Sequence, residues 1–257
     1  MKKVGKQLIH ISIIFLLTVL TLSTTFLRPA PATAQSVHFE TLASGTKYAT
    51  KLYIISSNNP GPVVMFVGGV HGNEPAGFKA ANIVKDYTIT KGTLLVIPNA
   101  NLPADRAGDR RVSGSFDLNR SFPQTSRESA DNVLSKAIYN AIKRYDVDWL
   151  VDMHEGCNYT KIKSSSSVGQ SLIYYPSSST RTVAGKIISS INSGIGSSYR
   201  KFQLFIYPVK GSLSRSAGQF MGVNTFIFET CTRDSLSTRI NYQLRAANIL
   251  LLYLDMK

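Results

Sequence analysis

One stretch of the chain, residues 63–75, constrains the fold more than any other, because an apolar strand there leads directly into a helix. Residues 63–67 are continuously apolar, as in a strand that is buried on both faces. Gly68 and Gly69 permit a tight turn, and Pro75 suits the first turn of a helix. This order predicts a buried strand followed at once by a helix, with the polar residues between them at the edge of a sheet.

The corner between this strand and helix contains His71 and Glu74, three residues apart. A neutral imidazole and a carboxylate are two of the usual zinc ligands. A catalytic site of this type needs one more histidine and leaves a position for water. Taken alone, so short a motif favours an ordinary buried histidine and an exposed glutamate at a helix start. The metal interpretation therefore depends on residues elsewhere in the chain.

Strand and helix patterns alternate along the chain. Strands are predicted at residues 46–56, 63–67, 93–98, 149–153, 171–175 and 225–228, and helices at 75–87, 126–144, 180–191 and 237–255. Such alternation predicts a single α/β domain with a mixed, largely parallel central sheet flanked by helices. The turn residues at 58–62 also predict a hairpin between the first two of these strands.

Groups suited to metal chemistry follow three of the predicted strands. His71 follows the second strand, His154 ends the strand at 149–153, and Glu229 ends the strand at 225–228. In open α/β sheets, sites form beyond the carboxyl ends of the strands, so these side chains should meet. A structural role would be favoured for His154 alone, but three such groups at three strand ends are hard to attribute to packing.

A glycine- and arginine-bearing loop completes the pattern, with the sequence DLNRSFP at residues 117–123. The ordered motifs HGNEPAG, DLNRSFP and DMHEG, followed by a glutamate that ends a late strand, resemble the zinc carboxypeptidase superfamily. The resemblance is to its succinylglutamate desuccinylase and aspartoacylase branch, and it covers about residues 60–232. It implies a zinc-dependent hydrolase that cleaves an amide bond next to a free carboxylate, either a carboxypeptidase or a deacylase of N-acyl amino acids.

The resemblance also implies a role for seven residues: His71, Glu74 and His154 as ligands of one zinc ion, Glu229 as general base, Asn119 and Arg120 as holders of a substrate carboxylate, and Arg111 as the oxyanion-stabilising residue. Arg110 stays open as an alternative to Arg111, because a shift of one residue exchanges them. The chemistry of these residue types supports the roles independently. A carboxylate can carry a proton from water to a leaving nitrogen, and a guanidinium can stabilise an oxyanion or grip a carboxylate.

Three further residues have supporting interpretations. Asp117 is expected to orient the arginine loop. Asp152 lies on the same strand face as His154, and it is a candidate partner for the zinc site. Tyr207 is a candidate to overhang the site, as a tyrosine does in the carboxypeptidases, but packing is favoured for an aromatic residue at a strand end.

Residues 1–34 have the pattern of a secretory signal peptide. Basic residues come first, an apolar stretch at residues 11–22 follows, and an A-x-A site ends at Ala34. We therefore predict a signal peptide at 1–34, a zinc hydrolase domain at 35–257, and a secreted or extracytoplasmic location, with the cell wall as a candidate site of association. An uncleaved membrane anchor is the alternative, although the apolar stretch is shorter than the roughly 20 residues that span a bilayer.

The chain is basic, with a formal net charge of +14, and its first 34 residues contain four basic and no acidic residues, which leaves +10 for the remainder. Such a charge attracts anionic surfaces, including cell-wall polymers. The lysines and arginines are scattered and match no nucleic-acid-binding motif, so nucleic acid is not expected as a partner. The expected partner is a peptide or N-acyl amino acid substrate, with cell-wall stem peptides as candidates, and no stable membrane insertion is expected after signal cleavage.

The state of the two cysteines stays open. Cys157 and Cys231 each lie within three residues of a candidate site residue, and a disulfide and two buried free thiols are equally supported. The aspartoacylase type carries an additional C-terminal domain, and the single helix predicted after Glu229 implies a more open site here.

The rival function is a zinc-bearing module that binds cell-wall peptides without catalysis. The presence of Glu229 argues against it.

Overall fold

The computed structural model describes residues 35–162, 164 and 166–257, so the predicted signal peptide lies outside the described residues. Within these residues eight strands form one sheet: β1 (Ser36–Leu42), β2 (Thr50–Ser56), β3 (Val63–Val67), β4 (Thr93–Ile97), β5 (Trp149–Gly156), β6 (Ser171–Tyr174), β7 (Gln203–Ile206) and β8 (Asn224–Cys231). The helices are α1 (Pro75–Val84), α2 (Leu102–Ala107), α3 (Val133–Arg144), α4 (Ser178–Ser193), α5 (Leu213–Met221) and α6 (Leu236–Tyr253).

The strand order across the sheet is β1-β2-β4-β3-β5-β8-β6-β7. The central strands β4, β3, β5 and β8 are parallel to one another, and β7 is parallel to β6. The pairs β1 with β2, β2 with β4 and β6 with β8 are antiparallel. The prediction of a mixed, largely parallel sheet in one α/β domain is confirmed.

The two faces of the sheet are covered by different helices. Phe66, Val151 and Phe226 belong to a core that they form with α1, α4 and α6. Their neighbours Met65 and Leu150 belong to a second core, with α3 and α5. Because successive side chains of a strand point to opposite faces, a continuous apolar strand such as β3 contributes to both cores. The buried strands thus fix the position of every loop at their carboxyl ends.

The predicted hairpin between β2 and β3 is wrong. β2 pairs with β1 on one side and with β4 on the other, whereas β3 lies between β4 and β5. The uniformly apolar β3 requires a paired strand on each edge and a helix layer on each face. A position next to the antiparallel pair of β1 and β2, where β1 is mostly exposed, would not bury it in this way. β1 itself was not predicted. Most of its residues are exposed, including Val37 and Phe39, which alternate with polar residues on one face.

Two helices and one further strand were also missed, α2, α5 and β7, and α3 begins later than predicted. Asn132 starts α3, since its side chain accepts hydrogen bonds from the backbone N–H groups of Leu134 (3.1 Å) and Ser135 (3.0 Å). This cap satisfies N–H groups that an α-helix leaves unpaired at its start. Among the described helices, none combines the length and the apolar character needed to cross a membrane.

Candidate active site

The carboxyl ends of β3, β5 and β8 deliver the predicted site residues to one place. His71 and Glu74 lie in the loop between β3 and α1, His154 lies in β5, and Glu229 lies opposite His154 in the neighbouring β8. Residues in register on adjacent strands project from the same face of a sheet. Parallel pairing of these three strands therefore brings the groups together, as the sequence predicted.

Two glycines of the HGNEPAG motif allow this corner to pack tightly. A Cβ atom at Gly77 would overlap the backbone carbonyl of Met153, and one at Gly72 would overlap the backbone of Ala104. Because glycine lacks this atom, α1 approaches β5 closely beside His154. The glycines of this motif thus let the backbone of α1 lie close to β5, and this close packing sets the distance between His71 and His154.

His71, Glu74 and His154 converge in a buried cluster. The Nδ1 atom of His71 lies 2.7 Å from Glu74 Oε1, and the Nδ1 atom of His154 lies 2.7 Å from Glu74 Oε2. One ligand atom from each residue can be chosen so that all three lie within 4.8 Å of one another. Two imidazole nitrogens and a carboxylate are a donor set that zinc accepts, so the residues fit the metal that the sequence predicted.

Each imidazole has a carboxylate at its other nitrogen. His71 Nε2 lies 3.1 Å from Asp117 Oδ1, and His154 Nε2 lies 3.0 Å from the buried Asp152 Oδ1. A carboxylate at this position fixes the ring orientation and the tautomer, which leaves Nδ1 available to a metal. The supporting position predicted for Asp152 matches its contact, and Asp117 contacts a histidine as well as the arginine loop.

Negative charge predominates in this cluster. Burial raises the pKa of Glu74, but the neighbouring His154 and His71 outweigh that effect and lower its pKa to about 2. Burial lowers the pKa of His154, while Asp152 and Glu74 overcome it and raise that pKa well above its usual value. The charged form of Glu74 is thus favoured, and a charged carboxylate between two imidazoles attracts a cation.

Glu229 is buried, with 8% of its surface exposed. Burial raises its pKa to about 8, the charges of Glu74 and Asp152 act in the same direction, and His154 opposes them. A carboxylate whose pKa lies near neutrality exchanges protons readily at physiological pH. A cation bound beside it would favour its charged form. The electrostatics therefore suit the proton-transfer role that the sequence predicts.

The two adjacent arginines differ in position. Arg110 lines the cavity beside Glu229 and donates to Asp117 Oδ2 from Nε (3.1 Å) and Nη2 (2.9 Å). Arg111 instead donates from Nη1 to the carbonyl of Ser115 (3.0 Å) and is not among the residues that line the cavity. The placement favours Arg110, the alternative left open by the sequence, over Arg111 for a role at the reacting carbonyl.

Asn119 and Arg120 lie in a short 3₁₀ turn that also lines the cavity. Asn119 is buried, its Nδ2 lies 3.4 Å from His154 Nε2, and its Oδ1 accepts a hydrogen bond from the backbone N–H of Leu213 (3.3 Å). Arg120 is exposed and donates from Nη1 to the carbonyl of Asn119 (2.7 Å). Arg120 is thus accessible to a substrate, while Asn119 is held by the protein itself.

Helix α6 braces the site from the opposite face of the sheet. The buried Gln243 donates from Nε2 to the carbonyl of His154 (2.9 Å). One turn earlier, Arg239 forms an ion pair with Glu155, whose other oxygen accepts from the backbone N–H of Ala76 in α1 (2.8 Å). These contacts join α6, β5 and α1, and no local sequence pattern predicts them.

The site opens into a cavity of about 630 Å³ whose two sides differ in chemistry. One side holds the ligand cluster and the arginines. The other side, which the sequence did not predict, is lined by apolar residues of β6, β7, β8 and the segment that follows β7: Ile173, Phe205, Ile206, Tyr207, Val209 and Ile227. Tyr207 is 53% exposed at the rim. Its ring also packs edge-on against that of Tyr175, with 5.9 Å between the ring centroids, so this residue both borders the cavity and packs against the fold.

Both cysteines are free thiols. Cys157 is exposed and lines the cavity, whereas Cys231 is buried at the end of β8. The disulfide considered from the sequence is not formed, and of the two thiols only one is buried as that alternative required.

Comparison with known proteins agrees with the resemblance inferred from the motifs. Residues 60–169 match the family model of the succinylglutamate desuccinylase/aspartoacylase catalytic domain. No curated protein sequence matches the chain.

Several solved structures share the fold. The Gln46His variant of the cell shape determinant protein Csd4 from Helicobacter pylori superimposes with a TM-score of 0.68 at 21% identity, covering 80% of this chain and 55% of Csd4. A succinylglutamate desuccinylase/aspartoacylase from Rhodobacter sphaeroides gives a TM-score of 0.62 at 16% identity, covering 86% of this chain and 66% of the other protein. The ectoine utilization protein EutE (DoeB) from Ruegeria pomeroyi gives a TM-score of 0.62 at 19% sequence identity, covering 88% of this chain and 70% of EutE. This chain thus spans about half the length of Csd4.

Proposed function

We propose that this chain, which belongs to the succinylglutamate desuccinylase/aspartoacylase branch of the zinc carboxypeptidase-like superfamily through its residues 60–169, is a zinc-dependent hydrolase of an amide bond next to a free carboxylate. The observation that carries the proposal is the opening of the buried His71, Glu74 and His154 cluster, together with Glu229, into a cavity that also holds arginines. A structural metal site would not need a buried proton acceptor beside it.

The residues that would hold zinc are His71, Glu74 and His154. When bound there, zinc would supply Lewis-acid activation of a water molecule and of the scissile carbonyl. The carboxylates of Asp117 and Asp152 keep the two imidazoles oriented, which preorganises the ligands before the metal arrives.

Glu229 performs the proton transfers. Its carboxylate takes a proton from the attacking water and then donates that proton to the leaving nitrogen. Burial raises the pKa of this carboxyl and a bound cation would lower it, so these opposing effects make both the charged and the protonated form accessible, as the two transfers require. No other buried carboxylate that lines the described cavity is equally free, because Glu74 contacts both histidines and Glu155 is paired with Arg239.

The arginines bind the negative charges of the substrate and the transition state. Arg110, at the inner side of the cavity, stabilises the oxyanion that develops on the scissile carbonyl. Arg120, more exposed, pairs with the free carboxylate of the substrate. Asn119 positions the turn that carries Arg120, since its side chain is already bonded to the backbone of Leu213.

Substrates of the proposed kind are peptides with a free C-terminus or N-acyl amino acids. Csd4 has been described as a D,L-carboxypeptidase and was solved with mDAP bound and with a tripeptide bound. These descriptions support cell-wall stem peptides as candidates. Export through the signal peptide would bring the enzyme to such substrates, so we also propose an extracytoplasmic location.

Zinc content and hydrolysis test this proposal together. We expect purified protein to contain one zinc per chain by elemental analysis and to hydrolyse members of a mixed library of peptides, muropeptides and N-acyl amino acids. His154→Ala should lose the zinc and the activity, whereas the control His38→Ala, in the exposed β1, should keep both. Full zinc occupancy in His154→Ala would refute the ligand assignment, and a zinc-loaded protein inactive on the whole library would support the binding-module alternative.

A further inference from the structure

The apolar side of the cavity is built by one row of residues across the sheet. Strand pairing places Ile227 of β8 opposite Ile173 of β6, and Ile173 opposite Phe205 of β7. The adjacent row starts with His154 and Glu229. Residues two apart on a strand share a face, so the apolar row extends from the catalytic centre on the same face. We call Ile173, Phe205 and Ile227, with the rim residues Ile206, Tyr207 and Val209, the apolar wall.

The rim of the apolar wall is exposed, whereas Ile227 at its inner end is buried. Ile206 is 52% exposed, Tyr207 53% and Val209 46%. Neighbouring exposed apolar side chains of this kind mark surfaces that bind apolar groups. At the rim, the guanidinium of Arg215 lies over the ring of Tyr207, 5.1 Å from its centroid. The row of Ile173, Phe205 and Ile227 carries no charge, so a charged group placed against this row would lose water without gaining a partner.

The apolar wall adjoins the residues that hold the substrate carboxylate. The backbone N–H of Phe122, two residues after Arg120, donates to the carbonyl of Gly211 (3.0 Å). A Cβ atom at Gly211 would also lie 2.9 Å from the carbonyl oxygen of Arg120. The segment after β7, which carries Tyr207 and Val209, therefore lies against the turn of Arg120. We therefore expect a substrate residue whose carboxylate pairs with Arg120 to place its side chain against this wall.

We propose that the substrate residue that carries the free carboxylate has a bulky apolar side chain, which binds against Ile173, Phe205 and Ile227. This inference rests on the proposed function and narrows its substrate class to apolar amino acids such as leucine and phenylalanine. Acidic residues and diaminopimelate are disfavoured, because Ile173, Phe205 and Ile227 offer their charged side chains no partner. The stem-peptide candidates of the proposed function are thereby narrowed to those that end in an apolar residue.

The test uses substrates with one common acyl group and a terminal leucine, phenylalanine, alanine, glutamate or diaminopimelate. We expect kcat/KM to be at least about tenfold higher for leucine and phenylalanine than for alanine, as for methylenes bound in an apolar pocket. Glutamate and diaminopimelate should be lower still. Equal or faster hydrolysis of the glutamate substrate would overturn the inference.

A matched pair of variants locates the effect. Ile173→Thr keeps a β-branched residue in β6 and should reduce the preference for leucine over alanine about tenfold. Leu204→Thr makes a comparable change on the opposite face of β7, at a residue that does not line the cavity, and should leave the preference unchanged. An unchanged preference in Ile173→Thr, with a melting temperature like that of the parent, would also overturn the inference.

A binding measurement separates the two proposals. Calorimetry of the zinc-loaded protein with free phenylalanine and with free glutamate requires no turnover. Absence of hydrolysis with all five substrates would refute the proposed function, while tighter binding of phenylalanine would still support the apolar wall. Tighter binding of glutamate would overturn the apolar wall even in an active enzyme.

Discussion

The two sides of the cavity are built on different physical principles. On the ligand side, His71, Glu74 and His154 are buried and each has a partner within 3.1 Å. On the opposite side, Ile206 and Tyr207 are about half exposed and make no polar side-chain contact with the ligand cluster. Fixed partners preorganise charged groups for chemistry, whereas exposed apolar surface gains its contacts only from a substrate. The comparison suggests that rate is determined on one side and substrate choice on the other.

The largest effect is expected on the ligand side. Glu229→Gln should keep the fold and the zinc but lower kcat by about 100- to 10,000-fold, the contribution of a general base. The measurement is kcat together with the zinc content. Glu128→Gln changes an exposed glutamate in the same way and serves as the control. Unchanged turnover in Glu229→Gln would remove the glutamate from the mechanism.

The next largest effect on kcat is expected for Arg110 and Arg111, and it decides which of the two stabilises the oxyanion. Arg110→Ala should lower kcat by about 100- to 1000-fold, as removal of one oxyanion partner does. Arg111→Ala should have little effect, because its side chain bonds to the backbone of Ser115 outside the cavity. Steady-state kinetics of the two variants are directly comparable. The reverse result would return the oxyanion role to Arg111, as the family resemblance first implied.

A smaller effect concerns the carboxylate beside the apolar wall. Amidating the free carboxyl of a good substrate should lower kcat/KM by about 10- to 150-fold, through loss of one charge-assisted pair worth about 1.5–3 kcal/mol. In Arg120→Ala the acid and the amide should react at similar rates. If the variant still discriminates between them, another group holds the carboxylate.

The smallest effect lies behind the ligand side, at Asp105 of α2. Burial raises the pKa of this carboxyl to about 7; the charge of Glu74 adds to the rise, and the hydrogen bond from Asn99 opposes it. The folded state therefore holds a proton that the unfolded chain releases near the ordinary carboxyl pKa of 3.8, and stability falls as pH rises from 3.8 to about 7.

Asp105→Asn should remove this dependence. Between pH 5 and pH 8, the parent should lose about 1–2 kcal/mol more of its free energy of unfolding than the variant, a value reduced from the full linkage because the group is partly exposed. Urea unfolding at both pH values measures the difference. Asp109→Asn, at an exposed position, should behave as the parent does, and parallel curves for parent and Asp105→Asn would contradict the prediction.

The same comparison accounts for what could be predicted from the sequence. The ligand side comes from continuous apolar strands that end in polar motifs, so His71, His154 and Glu229 could be assigned to one sheet edge. The apolar wall depends on β7, a four-residue edge strand with alternating partial exposure, whose pattern is too short to detect. Without β7, the register of Ile173 and Phe205 could not be derived.

The choice between Arg110 and Arg111 shows another limit. Both residues precede a loop that contains Gly114, whose φ of 72° is a backbone conformation that sequence spacing does not encode. Which guanidinium enters the cavity is decided by the contact with Asp117, a residue the motif had assigned only to the orientation of the loop. The contacts of Arg239 and Gln243 in α6 are equally absent from any local pattern, because their partners are over 80 residues away.

The antiparallel pairing of β6 with β8 has a consequence for how such enzymes diversify. The direction of the sheet reverses there, so β6 and β7 stand apart from the parallel strands that carry the ligands. Insertions or substitutions in this outer pair reshape the apolar wall without passing through β3, β5 or the loop of His71. Selection can therefore change which amino acid is released while the hydrolytic centre is inherited intact.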